Sequence, residues 1–189
     1  MNRRILLLVA AVSLSLTSCT YVASREPVGK PMAETAAAKV EGKWLASDGV
    51  VYVKFLGDGR VRVAGINEEK GEFKLNQQTV VVTTLGDAMY VNFPLPPTGK
   101  PEHYTLGRLT TVGEGDAMVL YGPRLKVFQE AVEGGKLKGE VKKGENVSGV
   151  VISDRAALEK FLSERPMSEL FDVDKPLVLT RIGEKKKEK

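Results

Sequence analysis

One cysteine and one histidine are all that the 189 residues provide of the two side chains on which many metal sites and nucleophile–base pairs are built. With Cys19 alone, no disulfide can form within the chain, so stability must come from core packing. With His103 alone, clusters of several imidazoles are excluded, and beside Tyr104 in a strand pattern it reads as a rim or packing residue. No Gly-x-Ser-x-Gly elbow, His-Glu-x-x-His helix or Gly-x-x-x-x-Gly-Lys phosphate loop occurs, so the commonest motif-borne chemistries lack their signatures. Charge of one sign is also scarce: 28 Lys and Arg stand against 24 Asp and Glu. Arg3 and Arg4 lie before residue 19 and no acid does, so the side-chain balance beyond that point falls from +4 to +2. Nucleic-acid binding wants a concentrated basic face, which this composition does not supply. Long apolar runs are missing too. The stretch from Ile5 to Leu16 has twelve residues, about 18 Å as a helix against the ~30 Å hydrocarbon core, and is too short to span.

What is present begins with that same stretch. A basic start at Arg3-Arg4, an apolar segment and then Leu16-Thr17-Ser18-Cys19 have the layout of a secretory signal. Here the chain resembles a bacterial lipoprotein precursor. The resemblance implies that the Cys19 thiol is joined to diacylglycerol, that residues 1–18 are removed and that the new amino terminus is acylated. Two or three acyl chains, at ~0.8 kcal/mol per buried methylene, hold far more firmly than one. The expected place is the cell envelope, lipid-anchored to membrane. Thr20 is not the aspartate that retains many enterobacterial lipoproteins in the inner membrane, so in a Gram-negative cell the outer membrane facing the periplasm is expected.

Residues 19–39 are rich in Ala, Thr, Ser and Pro and show no sustained apolar period, which predicts a flexible tether behind the lipidated cysteine. From Val40 to Gly183 the dominant period is two, the pattern of half-buried strands. Val50 to Leu56 ends at Gly57-Asp58-Gly59, and Arg60-Val61-Arg62-Val63 alternates cleanly after it, which is a hairpin signature. Glu72 to Leu75 repeats the alternation, Asn76-Gln77 reads as a turn, and Thr79 to Thr84 and Met89 to Phe93 read as further strands around Gly86-Asp87. Pro94 to Pro101 carries four prolines and is a loop. Strands resume at His103 to Leu109 and Ala117 to Tyr121. Arg124 to Glu133 spaces Leu125, Phe128 and Val132 as a short helix before Gly134-Gly135.

A second hairpin, Lys136 to Lys142 and Val147 to Ile152, turns at Gly144-Glu145-Asn146. Ser153 or Asp154 then caps a helix with Leu158, Phe161 and Leu162 on one face, ended by Pro166. Leu177 to Ile182 is the last strand, and residues 184–189 form a charged tail containing Lys185, Lys186 and Lys187. The expected fold is mainly β: a single antiparallel calycin-like barrel or strongly curved sheet with about ten strands and two short helices. Inward candidates are Val51, Val53, Phe55, Val61, Val63, Phe73, Leu75 and Met89, enough to fill a small barrel.

Gly42-Lys43-Trp44 at the first strand of this body resembles the Gly-x-Trp that opens the barrel in lipocalins and related calycins. In that fold a basic residue near the chain's end packs across the tryptophan and closes the barrel floor. Arg181, in Leu179-Thr180-Arg181-Ile182, stands where it could do so. The functional expectation is a membrane-anchored, non-catalytic envelope lipoprotein without cofactor or metal, binding a protein or an envelope component through its β domain. The alternative is a calycin-type carrier of a small apolar ligand.

Overall fold

In the computed structural model, the described residues are 19–183, except 48, 70, 71 and 144–146. The expected signal segment 1–18, the expected turn at Gly144-Glu145-Asn146 and the expected charged tail 184–189 lie outside them. Twelve strands follow one another as β1 (Cys19–Ser24), β2 (Lys30–Pro31), β3 (Gly42–Ala46), β4 (Gly49–Gly57), β5 (Arg60–Glu69) and β6 (Glu72–Leu85), then β7 (Ala88–Leu95), β8 (His103–Val112), β9 (Ala117–Tyr121), β10 (Gly139–Lys143), β11 (Val147–Ile152) and β12 (Leu177–Ile182). A 3₁₀ helix spans Glu34–Lys39, and α-helices span α1 (Leu125–Glu133), α2 (Arg155–Ser163) and α3 (Met167–Leu170).

The chain is mainly β, and eight strands close into an antiparallel barrel. β3 to β9 pair in sequence, and β12 returns to pair with both β9 and β3. The alternation predicted from sequence sets the two faces. Val51, Val53, Val61, Val80, Val82, Val91, Leu109, Met118 and Leu179 join Trp44 in one buried cluster, with Phe55, Val63, Met89, Phe93 and Leu120 packed against it. Gly107 leaves room within that interior: a methyl group there would lie 2.9 Å from Leu120 Cδ1 and 3.5 Å from Phe93 Cε2. An eight-stranded barrel is only just wide enough for side chains to fill, and these side chains occupy its interior.

A second core lies outside the barrel, against the outer face of β7 and β8. Tyr90 and Leu106 face it from the barrel, and Val22, Phe128, Val150, Ile152, Leu158, Phe161 and Phe171 complete it. The sheet that carries this core extends from β8 through β1 to β11 and β10, with β1 and β11 running parallel. The Asp154 side chain caps α2, Oδ1 accepting the Ala157 N–H at 3.0 Å, while the Ser153 hydroxyl turns away to the Lys138 carbonyl.

Two expectations are corrected. The segment 19–39 is not a tether: Cys19–Ser24 is a strand, and Val22, Ala23, Val28, Met32 and Ala37 are buried. Its apolar residues are too sparse to form a local period. What buries them comes from β7, β11 and the barrel floor, far along the chain. Asn76-Gln77 is not a turn either, because β6 runs unbroken from Glu72 to Leu85 and reverses against β5 with Glu69 opposite Glu72. Since Val80 and Val82 face inward, continuity of period two turns Phe73 and Leu75 outward, and both are exposed.

The capping geometry predicts that Asp154→Ala lowers unfolding stability by about 1 kcal/mol, read from urea denaturation. Ser153→Ala should stay within about 0.5 kcal/mol. Equal losses at both positions would show that the cap assignment is wrong.

Candidate functional site

The barrel floor is the most fully built part of the molecule. Trp44 is completely buried, and its indole N–H donates to the Val40 carbonyl at 3.0 Å, fixing the chain that leaves the 3₁₀ helix. The Arg181 guanidinium lies over the indole, its Cζ 4.3 Å from the ring centroid. Its Nη1 donates to the Glu41 carbonyl at 2.6 Å, Nη2 to those of Ala38 and Lys39 at 3.0 and 3.1 Å, and Nε to that of Gly115. One planar cation therefore gathers backbone carbonyls from the 3₁₀ segment and the β8–β9 loop. Gly42 permits this approach: with φ at 143°, a Cβ there would meet Arg181 Nη1 at 2.5 Å. Burial pulls the Arg181 pKa below its ordinary value, and the nearby Asp116 carboxylate opposes that shift. Trp44 and Arg181, predicted as a pair from opposite ends of the body, are thus brought together.

Above the floor, the opposite end of the barrel carries two polar atoms that are buried without a partner: Gln78 Oε1 and His103 Nδ1. The Gln78 amide nitrogen reaches the Pro94 carbonyl at 3.4 Å. Register places Leu95 opposite His103 on the neighbouring strand. A groove of about 580 Å³ lies outside the barrel, between Pro31–Glu34 and Phe55–Asp58. Among the described residues, no group of three or more His, Cys, Asp or Glu side chains is placed to hold a metal ion.

The outer face of the barrel divides in two. Across β7 and β8 it is covered by the second core, whereas across β3 to β6 it carries apolar side chains in water. Leu45 pairs with Val50 and Ile66 with Leu75, and the Val51–Gly65 pair sets Val50 beside Ile66, so one row crosses four strands. Leu45, Ile66 and Leu75 are 49, 57 and 67% exposed, and Phe73 beyond them is 79% exposed. Tyr52 borders the row with Lys43 above its ring, 5.7 Å from the centroid. Sequence reasoning placed Phe73 and Leu75 inside and so missed this surface; the unbroken parity from Val80 to Glu72 was the signal that could have found it.

Cys19 opens β1, in register with Val147 at the start of β11. Beyond β1 the chain crosses β7, where the Val28 N–H donates to Asn92 Oδ1 at 3.0 Å, and meets α2. There Glu159 Oε1 accepts from the Gly29 N–H and from Arg155 Nε, both at 2.7 Å, and Arg155 Nη2 donates to the Gly29 carbonyl at 2.6 Å. Burial pushes the Glu159 carboxyl up, but the bonds from Arg155 and Gly29 outweigh it and hold its pKa below the ordinary carboxylate value.

Comparison with protein-family models, curated proteins and solved structures finds no match to this chain.

Two outcomes are expected. Arg181→Met should cost about 1–3 kcal/mol, since it strips donors from part-buried carbonyls. Arg181→Lys should recover less than half of that, because an ammonium cannot reproduce the planar fork. Chemical denaturation with both variants checks this. Glu159 has a lowered folded pKa, so its contribution is present above the unfolded value of about 4.3 and is lost as pH falls below it. Unfolding measured from pH 6 down to pH 3 should therefore show a shallower acid loss in Glu159→Gln than in the unaltered protein.

Proposed function

We propose that this chain is a membrane-anchored cell-envelope lipoprotein whose barrel is a non-catalytic binding module for another protein or an envelope component. The observation that carries the binding half is the contrast between the barrel's two surfaces. Its interior is occupied by Trp44, the valines and Leu109, while Leu45, Ile66, Phe73 and Leu75 spend apolar area in water on the outer face. A monomer gains nothing from exposing such a row, and exposed apolar patches mark interaction sites. Lys43, Tyr52 and Arg62 at its margin supply the polar rim that interfaces use.

The anchoring half rests on Leu16-Thr17-Ser18-Cys19 and the apolar run before it. A diacylglyceryl thioether on Cys19 holds the body at the membrane, with outer-membrane transfer allowed by Thr20 in a Gram-negative cell. The reading includes no cofactor, metal or nucleic acid, and no catalytic residue.

One observation favours the carrier as a second reading. Gln78 Oε1 wants a donor and His103 Nδ1 a hydrogen-bond partner, both within the barrel's upper end, and a bound small molecule could supply them. An apolar body would still need space that the packed side chains now take.

The test is made in cells. A photoreactive side chain at Ile66 is expected to give a discrete adduct with a different protein, and Cys19→Ala should abolish both palmitate labelling and sedimentation with membrane. Absence of any adduct across growth conditions sinks the binding module, and unchanged labelling sinks the anchor. Uptake of an apolar fluorescent probe by the intact protein would favour the carrier over both.

A further inference from the structure

β6 is fourteen residues long and outruns its neighbour β7, which has eight. The registered pairs of β6 with β7 run only from Val81–Asn92 to Leu85–Ala88, whereas those with β5 continue up to Glu69–Glu72. Among the described residues, the upper half of β6 therefore has a strand on one side only. The direction of its backbone groups follows by parity. The Val82 N–H donates to the Gly59 carbonyl, on the β5 side, so even-numbered residues point there. Phe73, Leu75 and Gln77 direct their N–H and C=O groups to the side without a strand. Glu72, Phe73, Lys74 and Leu75 are all exposed, so this part of the hairpin stands clear of the barrel with both faces in water.

A strand edge of this kind is a template for pairing with another strand. The sequence along it says which. In an antiparallel pair built on a two-fold axis with Phe73 opposite Phe73, Glu72 of each copy stands opposite Lys74 of the other, on the same face. Paired Cβ atoms lie about 4.5–5.5 Å apart, so two opposite-charge pairs form on one face and two phenyl rings meet on the other. Shifting the axis by one residue sets Lys74 against Lys74. The edge is thus self-complementary in charge and in apolar side chains, which is what a closed two-fold interface requires.

We propose that two copies of this protein associate edge to edge through residues 72–75 of β6, with Phe73 on the two-fold axis. The outer faces of both barrels then join into one continuous sheet. The Leu45–Ile66–Leu75 rows of the two copies then lie on the same face, one on each side of the two phenyl rings, which doubles the apolar surface of that face.

The experiment uses the full-length chain in envelope membranes, with the natural chain, whose one cysteine is Cys19, as baseline. Under mild oxidation, Phe73→Cys is expected to form a disulfide-linked homodimer in more than half of the molecules, and Tyr52→Cys, on the outer face of β4, in less than a tenth as many. In parallel, light scattering on the detergent-extracted chain should show Glu72→Lys or Lys74→Glu alone raising the dimer dissociation constant at least tenfold, and the double variant Glu72→Lys/Lys74→Glu restoring it. No covalent dimer at residue 73, equal crosslinking at 52, an adduct of Phe73→Cys with a different protein only, or no restoration by the charge swap overturns the proposal. Each crosslinking yield is read against the natural chain, which carries the same Cys19, so the difference between residues 73 and 52 does not turn on whether Cys19 is acylated.

Discussion

Closure of the barrel by its last strand is the constraint on which the rest of the molecule depends. β12 joins β9 to β3, and the same strand brings Arg181 across Trp44 to the carbonyls of residues 38, 39, 41 and 115. A guanidinium suits this position because its fork satisfies several acceptors in one plane and its face lies on the indole. The carbonyls at the end of the 3₁₀ helix would otherwise meet only water at the mouth of an apolar core. Sheet closure and floor closure are thus one event. It requires contact between residues separated by most of the chain, which makes it a non-local step in folding.

Between β9 and β12 the chain leaves the barrel for residues 122–176 and builds the second core on the outside of β7 and β8. These two strands are consequently buried on both faces, Val91 and Leu109 inward, Tyr90 and Leu106 outward. Asn92, fully buried between them, is satisfied throughout: it accepts from the Val28 N–H and donates to the Val81 carbonyl and the Thr83 hydroxyl. A buried amide with all its bonds made fixes one arrangement, because any other leaves it unpaired. Here it fixes the strand crossing that carries residues 25–31 to the barrel floor. With one side of the barrel so covered, the face of β3 to β6 is left open, and it carries the exposed row Leu45–Ile66–Leu75.

The fold was largely legible because strands announce themselves by parity. The pairs Val51 and Val53, Val61 and Val63 and the Asp58-Gly59 turn gave the first hairpin, and Asp154 with Leu158, Phe161 and Leu162 gave the second long helix. Trp44 and Arg181 were legible as candidates only through the resemblance of Gly42-Lys43-Trp44 to the opening of calycin barrels, since nothing in their own spacing pairs them. The β6 surface was not. Asn76-Gln77 has the composition of a turn, and a break there reverses the parity of everything before it. Residues 19–39 misled for the opposite reason. Their few apolar side chains follow no local period, and their burial depends on β7, β11 and the barrel floor, none of which their own spacing announces.

Taken alone, the amino-acid sequence determined the alternation of strands, the two longer helices, the lone cysteine behind an apolar run, and the exclusion of intrachain disulfide and histidine-cluster chemistry. Each of these depends on residue type and short spacing, which are properties of the linear chain. Only the tertiary structure decided that the sheet closes, that the interior is packed, that the amino-terminal segment is a strand, and that Phe73 and Leu75 face water. These depend on which distant strand lies beside which. A two-residue period states that a strand has two faces; only its neighbours determine which of them is inside.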